Sequence, residues 1–278
     1  MTITPIMADI WKMDGGVAFG VIPKALWTKS YPEDKDNLVN MASRCLLIES
    51  GDRKILVNAG MGRKQNDKYY KYKYLDKNTS LLNSLKEKGI SADDITDVLF
   101  THLHDDHVGG ATIRDEKGNS VPLFNNADYW CNETQWEWAI NPNIREAASF
   151  FPENLIPLKE SNRLKFTHPD KEFIKGVTLQ EFEGHTKGLI IPIIDTGINT
   201  FAYVSDLIPF AANIPLVYVA SVDINPLVSI SEKETFLKEA VTKNYVLLFE
   251  HDYYTQFARV EETEKGIRKK EEELKILF

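Results

Sequence analysis

Cysteine is scarce in this chain, and long apolar runs are missing. Cys45 and Cys131 are the only cysteines in 278 residues, which is too few for a disulfide framework. No run of 18 consecutive apolar residues occurs, which excludes an ordinary membrane-spanning helix. The N-terminus lacks the basic start and apolar core of a secretory signal peptide. We therefore expect a cytoplasmic protein with no membrane partner.

Basic residues are fewer than acidic ones, at 33 against 41, and the formal net charge is −8. This balance disfavours a general nucleic-acid-binding protein, so we expect no nucleic-acid partner. Residues 63–77 differ, because six basic residues alternate with four tyrosines there. Such interleaving can form a platform for single-stranded nucleic acid. We favour the simpler interpretation, a solvated and partly helical segment whose tyrosines pack on the domain.

Histidine is also rare, yet three of the six histidines lie within six residues of one another. His102, His104, Asp106 and His107 follow the pattern His-x-His-x-Asp-His. Imidazole nitrogens and carboxylate oxygens are ligands of Zn²⁺ and related divalent ions. In an extended turn, His102 and His104 point the same way, whereas the next two ligands can face a second ion. One short loop can therefore supply two adjacent metals.

The residues on either side of this motif strengthen the interpretation. Residues 95–100 are apolar and β-branched, which predicts a short buried strand leading into the loop. Gly109 and Gly110 follow the motif and allow the backbone to turn close to the site at little steric cost.

The motif resembles that of the metallo-β-lactamase-fold metallohydrolases, whose remaining ligands lie singly at later strand ends. Three positions match in order: His185 in a Gly-His-Thr turn, Asp206 after an apolar strand, and His251 after residues 245–249. Asp195 and Asp223 also follow apolar runs and remain alternatives to Asp206. His168 lies outside the pattern and is interpreted as structural or solvated.

The resemblance implies a ligand set for two divalent metals, with zinc preferred and manganese, cobalt or iron as alternatives. One metal would bind His102, His104 and His185. The other would bind Asp106, His107 and His251, with Asp206 shared between the two metals. Asp106 and Asp206 are the predicted catalytic carboxylates.

The resemblance also implies an α/β fold, an αβ/βα four-layer sandwich with two central sheets and helices outside. We expect one hydrolase domain over residues 1–278, because the ligands run from residue 102 to residue 251. The pattern predicts strands at 43–49, 53–58, 245–249 and 274–278, and a strand series from 163 to 206. It predicts a helix at 79–88 closed by Gly89, a charged helix at 255–272, and helical or irregular structure at 129–158. A Ser231-x-x-Glu234 capping box predicts the start of a further helix, whose buried residues are Phe236, Leu237, Ala240 and Val241.

Two further segments resemble the branch that holds the N-acyl-homoserine lactonases and the methyl-parathion-hydrolase-like enzymes. They are residues 15–27 and 205–215. In that branch the N-terminal segment helps to form an apolar pocket mouth and often a dimer contact, so a homodimer is possible. Ordinary core or edge packing is the alternative for these side chains, and for an aromatic insertion that could cap the site. The candidate substrate-binding residues are Phe19, Val21, Ile22, Trp27, Trp136 and Phe150.

Two positions depart from the family pattern. Asn58 stands where the superfamily usually has an aspartate behind the metal ligands, so metal affinity or the pKa of bound water could differ. Pro209 stands where some lactonases have a tyrosine that holds the substrate or assists the leaving group.

The resemblance implies a dinuclear-metal hydrolase that uses a bridging hydroxide on the carbonyl of a small-molecule lactone or ester. N-acyl-homoserine lactone is the first expectation, and an aryl phosphotriester is the alternative. Two alternative hypotheses assign the protein to another functional class: a nucleic-acid-processing member of the superfamily, or a non-catalytic metal-binding protein.

Overall fold

The computed structural model describes residues 1–168 and 171–272. The strands are β1 (Thr2–Asp14), β2 (Leu38–Ser50), β3 (Arg53–Val57), β4 (Asp97–Leu99), β5 (Thr112–Arg114), β6 (Ser120–Pro122), β7 (Asp128–Cys131), β8 (Leu164–Phe166), β9 (Val177–Phe182), β10 (Leu189–Asp195), β11 (Thr200–Tyr203), β12 (Val246–Leu248), β13 (Phe257–Ala258), β14 (Val260–Thr263) and β15 (Gly266–Lys269). The α-helices are α1 (Gly15–Phe19), α2 (Lys24–Trp27), α3 (Asp67–Lys73), α4 (Leu81–Glu87), α5 (Asp105–Val108), α6 (Glu133–Ile140), α7 (Pro152–Glu160) and α8 (Pro226–Thr242).

The described residues group into two compact units. Unit 1 contains residues 1–10 and 42–168, and unit 2 contains residues 11–41 and 171–272. The chain passes between the units inside β1, inside β2 and after residue 168. The single hydrolase domain over residues 1–278 stays a prediction.

The larger sheet has six strands in the order β1-β2-β3-β4-β7-β8. The four strands from β3 to β8 run parallel, and β2 is antiparallel to β3. Parallel strands end at the same edge of a sheet, so the loop after β4 leaves from that edge. β4 is buried at all three positions, and Phe100 and Trp136 lie in the apolar core of unit 1.

The smaller sheet has five strands in the order β13-β12-β11-β10-β9. Only the β11–β12 pair is parallel among these five strands. The apolar face of α8 belongs to the core of unit 2, with Phe236, Leu237 and Ala240 buried and Val241 partly buried. The predicted buried face of this helix is confirmed.

The predicted start of α8 was wrong. The helix begins at Pro226 after an N-terminal cap at Asn225, so Ser231 and Glu234 lie inside it rather than at its start. Proline fits the first turn because its missing N–H has no partner there and its φ angle is already helical. Among the described residues, no helix is long and apolar enough to span a membrane.

The prediction of a helix in the charged segment 255–272 was wrong. Instead β14 and β15 form a hairpin in which Glu261 pairs with Arg268 across the strands. Gly266 adopts a φ of 86° next to the turn, a conformation that costs glycine little. Opposite charges facing each other across two strands support this pairing. The strand predicted at 274–278 lies outside the described residues.

The other predicted elements agree with the structure within a few residues, apart from the segment 129–158. The helix predicted at 79–88 is α4, and Gly89 follows it with a φ of 74°. The segment 129–158 contains α6 and part of α7, but it opens with β7, which sequence alone placed in helical or irregular structure. β7 pairs with β4 and β8, so its strand conformation depends on neighbours that are distant in sequence.

Candidate metal centre

The histidine loop follows β4 directly and leads into the short helix α5. The ring centroid of His102 lies 4.6 Å from that of His104 and 3.9 Å from that of His107. His102 and His104 each offer a ligand atom, and these two atoms lie within 4.8 Å of each other. Asp106 lies in the first turn of α5, and its Oδ1 is 3.5 Å from Nε2 of His107. The motif therefore gathers three imidazoles and a carboxylate at one strand end of unit 1.

Gly109 and Gly110 are needed for close packing of backbone rather than for a turn. A Cβ on Gly109 would lie 2.2 Å from the carbonyl oxygen of Met61, and one on Gly110 would lie 2.0 Å from that of Ala59. The N–H of Gly110 donates to the carbonyl of Gly60 at 2.8 Å. The glycine pair thus holds the end of the histidine loop against residues 59–61.

A buried glutamate that sequence reasoning missed stands behind His104. Oε1 of Glu146 is 3.2 Å from Nε2 of His104. The carboxylate also accepts hydrogen bonds from the indole of Trp138 at 2.7 Å and the amide of Asn143 at 2.6 Å. A carboxylate on the outer nitrogen of a ligating histidine fixes the ring and its tautomer. A single glutamate in an aromatic insertion gives no sequence signal for this role.

His102 and His107 have neutral partners. Oγ1 of Thr101 lies 3.1 Å from Nδ1 of His102. The amide nitrogen of Asn58 lies 3.0 Å from Nδ1 of His107, so Asn58 contacts the ligand loop as its family position implies. Asn58 adopts a φ of 59°, a left-handed conformation that asparagine and aspartate tolerate better than most residues.

The basic and aromatic segment 63–77 is partly helical, as predicted. Asn66 caps α3 by accepting from the N–H of Tyr69. The hydroxyl of Tyr69 hydrogen-bonds the buried carboxylate of Asp105, and Nζ of Lys73 lies 3.7 Å from the same carboxylate. Burial raises the pKa of Asp105. Two other tyrosines, Tyr72 and Tyr74, are exposed, so only part of the segment packs on the domain.

In unit 2, the carboxylate of Asp206 lies between two imidazoles. Its Oδ2 is 3.1 Å from Nε2 of His185, and its Oδ1 is 2.9 Å from Nε2 of His251. Asp206 sits in a single 3₁₀ turn after β11. Together with Glu250 and His251 it forms a group whose ligand atoms all lie within 4.8 Å of one another. One carboxylate oxygen therefore faces each histidine.

His185 has a second carboxylate on its other nitrogen. Nδ1 of His185 is 2.8 Å from Oδ1 of Asp223, and the hydroxyl of Ser229 donates to Oδ2 of Asp223 at 2.6 Å. Burial lowers the pKa of His185, but Asp206 and then Asp223 outweigh it and raise the pKa to about 10. Asp195 is exposed at the end of β10. Of the two alternatives to Asp206, Asp223 therefore contacts a predicted ligand from behind.

Helix α8 holds the turn that carries His185. The carboxylate of Glu232 accepts from the N–H groups of Glu183 at 2.7 Å and Gly184 at 2.9 Å. A Cβ on Gly184 would lie 2.4 Å from the backbone nitrogen and the hydroxyl of Ser229, so no side chain fits there. The glycine of this Gly-His-Thr turn is thus explained by contact with the helix.

Lys233 of α8 holds the segment that follows Asp206. Its side chain is almost fully buried, and its ammonium donates to the carbonyls of Asn213 at 2.9 Å, Pro215 at 3.2 Å and Tyr218 at 2.9 Å. Three carbonyls around one cation fix the course of residues 213–218. A lysine within an amphipathic helix pattern is ordinarily interpreted as solvent-facing, so the buried role of Lys233 was not predicted.

The predicted substrate-binding residues have different environments. Phe19 and Trp27 are buried and stack at 4.9 Å, whereas Val21 is 93% exposed and Ile22 is half-buried. In unit 1, Trp136 belongs to the apolar core, and the ring of Phe150 lies 4.9 Å from that of His104. Their roles with substrate stay predictions. His168, interpreted as structural or solvated, is exposed.

Both units thus present imidazole and carboxylate groups, the donor types that zinc and related divalent metals bind. Residues 39–251 match the model of the Metallo-beta-lactamase superfamily. The chain belongs to this superfamily, and the predicted α/β fold is confirmed.

Three relatives illustrate the relationship. A probable metal-dependent hydrolase from Staphylococcus aureus has a TM-score of 0.86 and 28% identity, covering 98% of each chain. AidC, a dizinc quorum-quenching lactonase solved with a product, has a TM-score of 0.81 and 22% identity over 99% of this chain and 95% of that chain. The N-acyl homoserine lactonase AiiA of Bacillus thuringiensis subsp. kurstaki is 29% identical over 161 residues, 54% of this chain and 57% of AiiA. This chain therefore spans just over half the length of that curated relative.

Proposed function

We propose that this protein is a metal-dependent hydrolase with a dinuclear centre, acting on a small-molecule lactone or ester. The observation that carries the proposal is the carboxylate of Asp206, which turns one oxygen to His185 and the other to His251. Such a carboxylate would let each of its oxygens neutralise one of two cations held by the neighbouring imidazoles.

The proposed ligands are those that the family pattern implies. The first metal would use His102, His104 and His185, and the second would use Asp106, His107 and His251, with Asp206 shared. The donor chemistry supports zinc, with manganese, cobalt or iron able to use the same groups. Support comes from the grouping of His102 and His104 in unit 1 and of Asp206, Glu250 and His251 in unit 2.

The role proposed for each side chain rests on its contacts. When bound, two divalent metals lower the pKa of a water molecule and polarise the scissile carbonyl. Glu146 and Asp223 hold the rings of His104 and His185 in place through the outer nitrogens. In this proposal Asp206 would accept a proton from the attacking water and return it to the leaving group, with Asp106 as the second catalytic carboxylate.

N-acyl homoserine lactone is the substrate class we propose first. AiiA is named an N-acyl homoserine lactonase, and AidC is named a dizinc quorum-quenching lactonase in complex with an N-acyl homoserine product. Phe150 lies beside His104 and is the best-placed of the predicted acyl-contacting residues. Val21 and residues 23–26 are exposed, and we propose that the segment 15–27 lines the pocket mouth and contributes to a homodimer in a cytoplasmic setting.

An aryl phosphotriester is the second candidate, and Pro209 is the observation that favours it. Proline has no hydroxyl with which to assist a leaving alkoxide, whereas an aryl leaving group departs as a stabilised phenolate and needs little proton donation. For this second candidate, activated aryl esters of phosphorus would be turned over with a higher kcat/KM than lactones.

The test is a side-by-side assay of the zinc-reconstituted protein on a long-chain N-acyl homoserine lactone and an aryl phosphotriester. Chelated protein and the Asp206→Asn variant serve as controls. We expect chelator-sensitive lactone opening with a higher kcat/KM than for the triester. A higher kcat/KM for the triester would favour the second candidate. Absence of turnover on both by the two-metal protein would overturn both substrate proposals.

A further inference from the structure

The partner of His107 differs in kind from those of His102, His104 and His185. Glu146 and Asp223 present carboxylates to His104 and His185, and Thr101 presents a hydroxyl to His102. Carboxylates and hydroxyls can accept a hydrogen bond. An imidazole that gives one nitrogen to a metal carries its proton on the other nitrogen, so its outer partner must accept. His107 faces the side-chain amide of Asn58 instead.

The orientation of that amide is fixed by a neighbour that can only donate. The backbone N–H of Thr101 lies 2.9 Å from Oδ1 of Asn58, so the oxygen must point toward Thr101. The –NH₂ group is then the atom 3.0 Å from Nδ1 of His107. An amide –NH₂ is a donor, so Nδ1 of His107 accepts this hydrogen bond.

Because of this hydrogen bond, the neutral His107 ring carries its proton on Nε2, the nitrogen that would have to be unprotonated to bind a metal. Nε2 is the nitrogen that faces the carboxylate of Asp106, at 3.5 Å, and Asp106 is the other proposed ligand from this loop. With Nδ1 accepting, the ring proton sits on Nε2. Rotating the amide by 180° does not help, because –NH₂ would then face the N–H of Thr101.

Asn58 has no room to move away from this conflict. Asn58, Thr101 and His107 are all fully buried. The N–H of Asn58 donates to the carbonyl of Leu99 at 2.9 Å, and the N–H of Ala59 donates to the carbonyl of His107 at 2.7 Å. The backbone around Asn58 is thus tied to β4 on one side and to His107 itself on the other.

We propose that Asn58 makes the two metal positions unequal, so that the His102, His104 and His185 position binds tightly and the His107 position binds weakly. The proposal rests on the dinuclear centre proposed above. At low free zinc the protein holds one ion, and the second binds only when free zinc rises. Asn58 is therefore a positioning residue that sets the metal concentration at which the centre becomes dinuclear.

The variant Asn58→Asp tests the proposal directly. A carboxylate at this position accepts from both the N–H of Thr101 and Nδ1–H of His107, and aspartate tolerates the same left-handed backbone. Zinc binding to the metal-free protein is measured by calorimetry with chelator competition. We expect two separate events in the unchanged protein, and in the variant a second event tightened by about 10- to 100-fold. Asn162→Asp is the matched control, because Asn162 has a φ of 58° and is exposed, and it should leave both events unchanged.

Nitrogen-15 spectra of the imidazole rings give a readout that does not depend on metal or turnover. In the metal-free protein we expect the His107 ring to carry its proton on Nε2, and in Asn58→Asp to carry it on Nδ1. Two equal zinc affinities in the unchanged protein, or an Nδ1–H tautomer of His107 there, would overturn the inference. Binding of no zinc by either protein would instead overturn the dinuclear hydrolase itself.

Discussion

Asp223 lies behind His185, with 2.8 Å between its Oδ1 and Nδ1 of the ring, while Asp206 lies 3.1 Å from Nε2 on the opposite side. The ring is therefore held by two carboxylates at once. Ser229 in turn fixes Asp223 through a 2.6 Å hydrogen bond from α8. The position of a predicted metal ligand is thus set by the helix as well as by its own turn.

Removing Asp223 should weaken metal binding without removing a ligand. We expect Asp223→Ala to lower zinc affinity by about 10- to 100-fold, because the His185 ring loses the acceptor that orients it. Asp223→Asn keeps an oxygen for Nδ1–H and an amide for Ser229, so it should recover part of the loss. Chelator competition measures both. Equal affinities for the alanine variant and the unchanged protein would show that the turn alone orients His185.

Substitution of Asp206 should lower turnover far more than substitution of Asp223. We expect Asp206→Asn to lower kcat by at least about 100-fold, since it removes a proton acceptor and a negative charge from the predicted centre. It should also weaken one zinc, measured by metal analysis after dialysis. Asp195→Asn is the control, because Asp195 is an exposed strand-end carboxylate in the same unit. Near-normal turnover by Asp206→Asn with two metals retained would refute the role given to Asp206.

Glu146 offers the corresponding test behind His104. Glu146→Gln turns one of the two carboxylate oxygens into a donor, which then faces either Nε2 of His104 or the donors of Trp138 and Asn143. We expect zinc affinity to fall by about 10-fold or more. Glu137→Gln, at an exposed position on α6, should have no effect. If both variants bound zinc as tightly as the unchanged protein, Glu146 would be only a packing residue.

Lys233 should matter for stability. Lys233→Met removes a donor from three carbonyls, of which that of Pro215 keeps the N–H of Tyr218 at 2.9 Å and that of Tyr218 keeps the amide of Asn213 at 3.3 Å. The carbonyl of Asn213 loses its ammonium donor. A buried acceptor without a partner costs about 1–3 kcal/mol, so we expect the free energy of unfolding to fall by about 1–3 kcal/mol. Lys238→Met on the same helix removes an exposed pair with Glu234 and should change it by less than about 0.5 kcal/mol. Urea denaturation measures both.

The histidine loop was predictable because its information is local. His102, His104, Asp106 and His107 lie within one turn of chain, and a short apolar strand before them limits where they can point. The family pattern then predicted the remaining ligands at the ends of later strands. The alternatives Asp195 and Asp223 could not be separated from Asp206 by pattern, because all three follow apolar runs.

Roles that depend on tertiary contacts were not predictable. Glu146 and Lys233 are single charged residues whose functions come from partners far away in sequence. The hairpin at β14–β15 was mistaken for a helix because its charged composition is common in exposed helices. The backbone pairing that puts Glu261 opposite Arg268 exists only once the strands meet. The early start of α8 at Pro226 was missed because a plausible capping pattern begins at Ser231, after the cap at Asn225.

Three side chains on one face of α8 hold three different segments: Ser229 holds Asp223, Glu232 holds the N–H groups of residues 183–184, and Lys233 holds residues 213–218. Each residue added to an α-helix rotates everything after it by roughly 100°. A one-residue insertion between Asn225 and Ser229 would therefore turn all three side chains away together. Substitutions on the solvent side of this helix are tolerated. The number of residues between Asn225 and Ser229, however, is as tightly constrained as the spacing of a metal-binding motif.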